Sequence, residues 1–284
     1  MNYRITILLI IALLSVSTSP IVAKSLVGVP AVAISFWRMF IGSILLWIYS
    51  IFNNQGSMNS NENYSKTVVA GILLGFHFAL FFGAIKLTLI SNATFLGTLA
   101  PLFTLILEIA ILKRKFNPKV ILGLGLSLIG AYVIFGNEFD LSEKYILGNF
   151  LALICSVCLA LCFMIAEKVR QIETTIIYTR SLYLSAAVTL LLIALISGTS
   201  LLGYTYHEYL GLLFLGIVPT IIGHNAIYYS VKYVSPTIVS AFPLGEPILA
   251  TILAFFIFGE SIGINIYIGG SITFLGLILI TIKK

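Results

Sequence analysis

Apolar residues fill this chain in ten long runs, separated by short polar, basic or Gly/Pro-marked breaks. The runs fall at about 5–26, 30–52, 67–87, 91–112, 118–136, 146–166, 174–197, 208–231, 235–258 and 262–282. Each approaches the roughly 20 residues a helix needs to cross the hydrocarbon core of a bilayer. The runs are apolar nearly all round, as expected of helices solvated by lipid rather than water. The pattern predicts an all-α integral membrane protein of ten transmembrane helices. The longest connection, Asn53 to Lys66, is rich in Asn and Ser and reads as a surface loop. The first run carries signal-peptide features in Arg4, in apolar Ile5 to Leu14 and in small residues to Ala23. Because its apolar stretch continues past Pro20, it is read as a span.

Composition agrees. Of 284 residues, 60% are hydrophobic and only 9% charged, far below the roughly 25% charge of soluble domains. The net charge of +6 does not indicate nucleic acid, since the basic residues sit at the ends of apolar runs rather than along a polar face. With the N-terminus in the cytoplasm, Arg4, Lys66, Lys113, Arg114, Lys115, Lys119, Lys168, Arg170, Lys232, Lys283 and Lys284 all face inward. Lys24, Lys86 and Lys144 face outward. This bias predicts a multi-pass protein of the cell's inner (cytoplasmic) membrane with both termini cytoplasmic. The outer connection carrying Glu138, Asp140 and Glu143 fits that orientation.

Several scarce residue types recur at one spacing. Lys86 and Lys232, Pro101 and Pro247, Gly123 and Gly269, and Gly130 and Gly276 each lie 146 residues apart, and Arg38 and Arg180 lie 142 apart. The chain therefore reads as two repeats, residues 1–139 and 140–284. A unit of five spans is odd, so the second copy enters the membrane upside down. Inverted repeats of this kind are a transporter signature, because two copies with exchanged roles give inward-open and outward-open states of similar energy.

Charged and polar groups inside spans are the functional candidates. Arg38 lies about 12 Å into the second span, and Arg180 is its repeat partner. Each could bind a substrate carboxylate or phosphate, or could pair with carbonyls and hold helices together. Glu108 could pair with the nearby Lys113-Arg114-Lys115 cluster or Lys119, or serve as a coupling carboxylate. Glu246 lies in Phe242-Pro243-Leu244-Gly245-Glu246-Pro247, where prolines and a glycine interrupt the helix and free backbone groups beside a carboxylate. His77 and His224 can bond a ligand, carry a proton or simply link helices. Aromatics flank these groups: Trp37 beside Arg38, Tyr183 after Arg180, Tyr228 after His224. The candidate substrate-binding residues are thus Arg38, Trp37, His77, Arg180, Tyr183 and Tyr228, with Glu246 and Glu108 as coupling candidates. Cys155, Cys158 and Cys162 share one helix face but have no His or carboxylate among them, so they read as packing and no metal site is expected. Gly71 with Gly75, Gly123 with Gly130, and Gly269 with Gly276 read as close helix contacts.

Together these features resemble the drug/metabolite transporter superfamily, in particular its members with two EamA-type five-helix repeats. The resemblance is carried by Phe36-Trp37-Arg38, Gly83-Ala84-Ile85-Lys86, Ser91-Asn92-Ala93 through Pro101-Leu102-Phe103, and in the second copy by Arg180, Tyr229 to Lys232, Ser235-Pro236, Glu246-Pro247 and Phe258-Gly259-Glu260. The first copy departs from it with Leu112-Lys113-Arg114 where a Gly-Glu ending is usual. The resemblance implies a carrier with a central cavity lined by helices one to four and six to nine, the fifth and tenth being peripheral. It implies transport of amino acids, metabolites or amphipathic compounds, with export the commoner direction.

The expected activity is therefore secondary transport of small organic solutes by alternating access, with a proton gradient as the expected energy source. No cofactor is expected, since no Gly-x-x-x-x-Gly-Lys-Ser/Thr run is present. The expected partners are a small-molecule solute and membrane lipid, with a homodimer left open. A lipid-modifying intramembrane enzyme would need a polar catalytic cluster, and Asp140 is the sole Asp. A passive channel would need a hydrophilic pore lining that the spans do not display.

Overall fold

The computed structural model describes residues 2–136 and 139–282; Glu138, Lys283 and Lys284, used above for orientation, lie outside the described residues. Among the described residues, ten helices are long and apolar enough to cross a membrane. They are α1 Tyr3–Ser25, α2 Ala31–Phe52, α3 Asn61–Leu87, α4 Ile90–Ala110, α5 Pro118–Phe135, α6 Glu143–Arg170, α7 Thr175–Ile196, α8 Tyr206–Ser230, α9 Pro236–Phe258 and α10 Ile264–Thr281. Each hairpin returns the chain through the bundle, so connections 53–60, 111–117, 171–174 and 231–235 share one end with Arg4. We call this the basic end and the opposite one the far end. Five helices form each of two repeats, and an odd number inserts the second copy inverted.

Local sequence accounts for the ends of the helices. Ser60, Thr174, Thr205 and Ser235 cap α3, α7, α8 and α9 through side-chain oxygens, and Asn117 caps α5 ahead of Pro118. Gly259 closes α9 in a left-handed conformation, φ +69°. Lys113, its counterpart 146 residues earlier, is also left-handed, φ +51°. The first repeat thus keeps the same reversal although it has lost the glycine of the Gly-Glu ending.

Four spans are irregular. Helix α1 changes direction at Ser17. Helix α4 breaks at Thr98–Leu99 and resumes with Pro101 in its first turn; α9 breaks at the 3₁₀ turn Phe242–Gly245 and resumes with Pro247 in its first turn. These breaks are repeat-equivalent, and a proline cannot donate the N–H that would continue the earlier helix. Helix α8 widens to a π-helix over Gly216–His224, around Pro219.

Small residues set the closest crossings. A Cβ on Gly71 would lie 2.5 Å from the carbonyl oxygen of Leu182, and one on Gly75 2.7 Å from Thr189 Cβ, so α3 presses directly on α7. Helices α5 and α10 pack on each other just as tightly: a Cβ on Gly123 would meet Gly276 O at 2.6 Å, and one on Gly130 would meet Gly269 O at 2.5 Å. The main core runs through α1, α2, α3, α6, α7, α8 and α9, with Leu9, Met39, Leu74, Tyr178, Leu182 and Tyr228 fully buried. Outward-facing Ile, Leu and Phe cover the surface of the spans, as lipid contact requires.

Candidate substrate site

Arg38 projects from α2 into the bundle and is 9% exposed. Its Nε donates to Thr220 Oγ1 at 3.5 Å, and its guanidinium lies 5.4 Å from the centre of the Phe78 ring. Among the described residues it has no ion pair within 4.0 Å, and its two terminal nitrogens make no hydrogen bond. A buried cation held this loosely is costly unless another group completes its shell.

The geometry around it comes from helix irregularities. Pro219 has no N–H, which removes the donor that an α-helix would give the carbonyl of Leu215. Thr220 Oγ1 supplies one at 2.8 Å while accepting from Arg38. Tyr183 OH reaches the same stretch, donating to Asn225 Oδ1 at 2.9 Å and lying 3.4 Å from Thr220 O. The π-helical segment thus presents the buried Thr220 hydroxyl to Arg38.

Glu246 opens the second segment of α9, directly after the break, where the partial positive charge of a helix N-terminus favours a carboxylate. It is half-buried and within electrostatic range of Arg38 but forms no salt bridge with it. His77 and His224, also half-buried, lie within electrostatic range of Arg38 and of each other. His77 Nδ1 sits 3.1 Å from both the carbonyl oxygen and Sγ of Cys155. The bundle therefore collects Arg38, Glu246, His77, His224 and Tyr183 from α2, α9, α3, α8 and α7 around one interior region.

The other sequence candidates stand apart. Arg180 bonds Ser50 Oγ and Gly56 O (2.6 Å) and lies 4.1 Å from the Trp47 ring centre. Its head meets α2 at Ser50, about 18 Å along the helix from Arg38, so the two repeat-related arginines do not meet. It ties loop 53–60 to α7. Trp37 donates Nε1 to Leu201 O at 2.9 Å and packs edge-on against Tyr209, near the far end. Tyr228 is fully buried among Tyr178, Phe163 and Tyr183, with its hydroxyl 3.5 Å from Cys162 Sγ.

Glu108 belongs to a closure at the basic end. Fully buried, it accepts from the N–H of Thr237 at 2.8 Å, from Thr237 Oγ1 and from Arg114, which also bonds Glu167 at 2.9 Å. One turn deeper, Thr104 and Ser240 hydroxyls meet at 3.1 Å. The inner segments of α4 and α9 are thereby fastened together. Their outer segments lean on different neighbours, α4 on α6 and α9 on α1 and α10.

Reading of the sequence passed over Thr220 and Asn225 and took Cys155 for packing alone. A Pro-Thr pair inside an apolar run is the one signal that marks Thr220. Cys155 packs as expected but also touches His77, a contact its sequence neighbours do not announce. Among the described residues no group of three or more metal-binding side chains forms.

A family model described as the EamA-like transporter family matches residues 4–136 and 146–282. The chain belongs to this family. An uncharacterized transporter of Clostridium kluyveri is 30% identical over 192 residues, covering 66% of this chain and 61% of that relative, a little under two thirds of its length. An uncharacterized transporter of Archaeoglobus fulgidus is 23% identical over 255 residues, 89% of this chain and 87% of the relative. A solved crystal structure matches the fold with a TM-score of 0.86 over 99% of this chain and 97% of that one, at 19% identity. This EamA-family chain is a multi-pass membrane protein, and the relatives it matches carry the name of transporters.

Proposed function

We propose that this EamA-family chain is a secondary-active carrier of small organic solutes, such as amino acids, metabolites or amphipathic compounds. It exports them from the cytoplasm by alternating access. The observation that carries this reading is Arg38: a buried cation with no ion pair among the described residues, bonded to the π segment of α8 and within electrostatic range of Glu246 and two histidines. Discontinuous helices meeting near the bilayer centre are the arrangement that lets a site open to either side.

With the basic end in the cytoplasm of a cell bounded by its inner membrane, the Glu108 closure shuts the cytoplasmic side of the path. Rocking the two repeats would separate Glu108 from Thr237 and open the inner path. Glu246 is the proposed coupling group, since protonating it leaves the Arg38 charge free for an anionic part of the solute. The two repeats are taken as residues 1–139 and 140–284.

Counterflow in proteoliposomes, with panels of amino acids, organic anions and cationic amphiphiles, tests the proposal. Saturable exchange that accelerates under a pH gradient supports it. A flux that rises linearly with concentration would mean a channel, and exchange driven by sodium but indifferent to pH would remove the proton part.

A further inference from the structure

Two adjoining clefts lie at the basic end, outside the Arg38 cluster. The first, about 410 Å³, is walled by Arg170, Lys232, Gln55 and Tyr233. The second, about 370 Å³, is walled by Leu8, Ile222 and Ala226 and by Asn225, which bonds Tyr183. They share Thr175, Ile176 and Tyr229, so they form one depression that is polar and cationic at its mouth and apolar along the helices.

We propose that this depression is a binding site for an anionic glycerophospholipid of the leaflet at the basic end. Its phosphate sits against Lys232 and Arg170, and one acyl chain lies along Leu8, Ile222 and Ala226.

The charge balance supports an anion. The Lys232 ammonium has no ion pair within 4.0 Å and no hydrogen bond among the described residues. Arg170 donates Nε to Tyr228 O at 3.1 Å and Nη1 to Glu173 O, and its Nη2 makes no hydrogen bond among them. Glu173 is the one acid lining the cleft, and its carboxylate is already taken. It accepts from Asn59 N at 2.8 Å, Asn59 Nδ2 at 3.1 Å and Asn63 Nδ2 at 2.8 Å. Two cations therefore face the cleft against a carboxylate engaged elsewhere.

The headgroup can be narrowed further. Gln55 Oε1 is buried at this cleft without a hydrogen-bond partner, so it needs a donor. A choline headgroup has no O–H or N–H to give. A glycerol headgroup carries hydroxyls and leaves the lipid with a net negative charge, which answers both needs. Depth agrees as well: Ile222 lies about 12 Å from the basic end of α8, within reach of an acyl chain but not of the aqueous phase. Tyr229 and Tyr233, with ring centres 5.2 Å apart and planes tilted by 42°, are both exposed and mark the headgroup level between the two parts.

The test is lipid titration of the purified full chain by native mass spectrometry. Dioleoyl phosphatidylglycerol is compared with dioleoyl phosphatidylcholine, and sn-glycerol 3-phosphate serves as a soluble competitor. The expected result is selective retention of phosphatidylglycerol by wild type, weakened about fivefold by Lys232→Gln, the scale of one basic residue's attraction to anionic lipid. Ala226→Phe, which fills the acyl part, should weaken it as well, while Lys168→Gln, an exposed lysine outside the cleft, should not. Gel filtration confirms that each variant is folded; should Ala226→Phe fail this check, Lys232→Gln and the competitor decide. Equal retention of both lipids, or indifference to Lys232→Gln, would overturn the proposal. Full displacement by glycerol 3-phosphate would also overturn it, making the cleft a site for soluble anions.

Discussion

Ser127 and Thr273 exchange hydrogen bonds: Ser127 Oγ donates to Thr273 O at 3.3 Å, and Thr273 Oγ1 donates to Ser127 O at 3.4 Å. They are 146 residues apart, the spacing of the repeat. A residue that bonds reciprocally to its own repeat partner lies on the axis relating the two halves. Gly123 against Gly276 and Gly130 against Gly269 flank it symmetrically. Helices α5 and α10 therefore form one seam between the repeats, on this axis and away from the Arg38 cluster.

That seam has no spare room. Gly130→Val should lower stability by about 1–3 kcal/mol, since the added atoms meet the Gly269 carbonyl and the Thr273 hydroxyl. Thermal unfolding in detergent measures this, and an unchanged midpoint would contradict the close contact.

Lys113 holds the left-handed turn that Gly259 holds without steric cost. Lys113→Gly should therefore stabilise the chain by about 1 kcal/mol. The equivalent change in the opposite direction, Gly259→Lys, should cost a similar amount. Melting of both variants beside wild type gives the comparison.

The two intramembrane arginines should separate cleanly in a mutant series. Arg38→Ala is expected to cut solute exchange at least about tenfold, or about 1.4 kcal/mol, while the protein stays monodisperse. Arg180→Ala should instead lower the melting midpoint, because it releases loop 53–60 from Ser50 and Gly56. If Arg180→Ala abolished exchange in a protein as stable as wild type, its anchoring role would be wrong.

Glu108 joins the two halves at the basic end. Glu108→Gln loses charge-assisted bonds to Thr237 and Arg114, worth about 1.5–3 kcal/mol. The equilibrium should shift about tenfold or more toward opening there. In a background with the native cysteines replaced by serine, labelling of Thr104→Cys by a maleimide from the basic end should accelerate. Unaltered labelling would mean that the carboxylate does not hold the closure.

Outside the spans, Asp140 has a pH dependence whose sign is fixed. The Ser142 N–H donates to its carboxylate at 2.8 Å and holds the carboxyl below its ordinary value of 3.8. The stabilisation is complete above that ordinary value and is lost as pH falls through the lower folded one. Acid should loosen this turn, whose backbone also bonds Asn92. Amide exchange at Ser142, corrected for its intrinsic pH dependence, should show protection falling only below the ordinary carboxyl value.

The sequence by itself determined the membrane, the ten spans, the five-plus-five repeat and the roster of buried charges. These follow from local rules: run length against bilayer thickness, and the scarcity of Arg, Lys, Glu and Pro inside apolar runs. Which charges meet was decided only by tertiary structure. Arg38 and Arg180 are equivalents in sequence, yet one lies within electrostatic range of Glu246 and the histidines while the other clamps a loop, because side-chain direction depends on the crossing of α2 with α7 and α8. Glu108 lies near three basic residues in the chain, but only the fold chose Arg114 and added Thr237 from 129 positions away. Helices that are apolar all round carry no periodic mark of which face is inward, so small-residue contacts and proline breaks set the rotation, and through it the site.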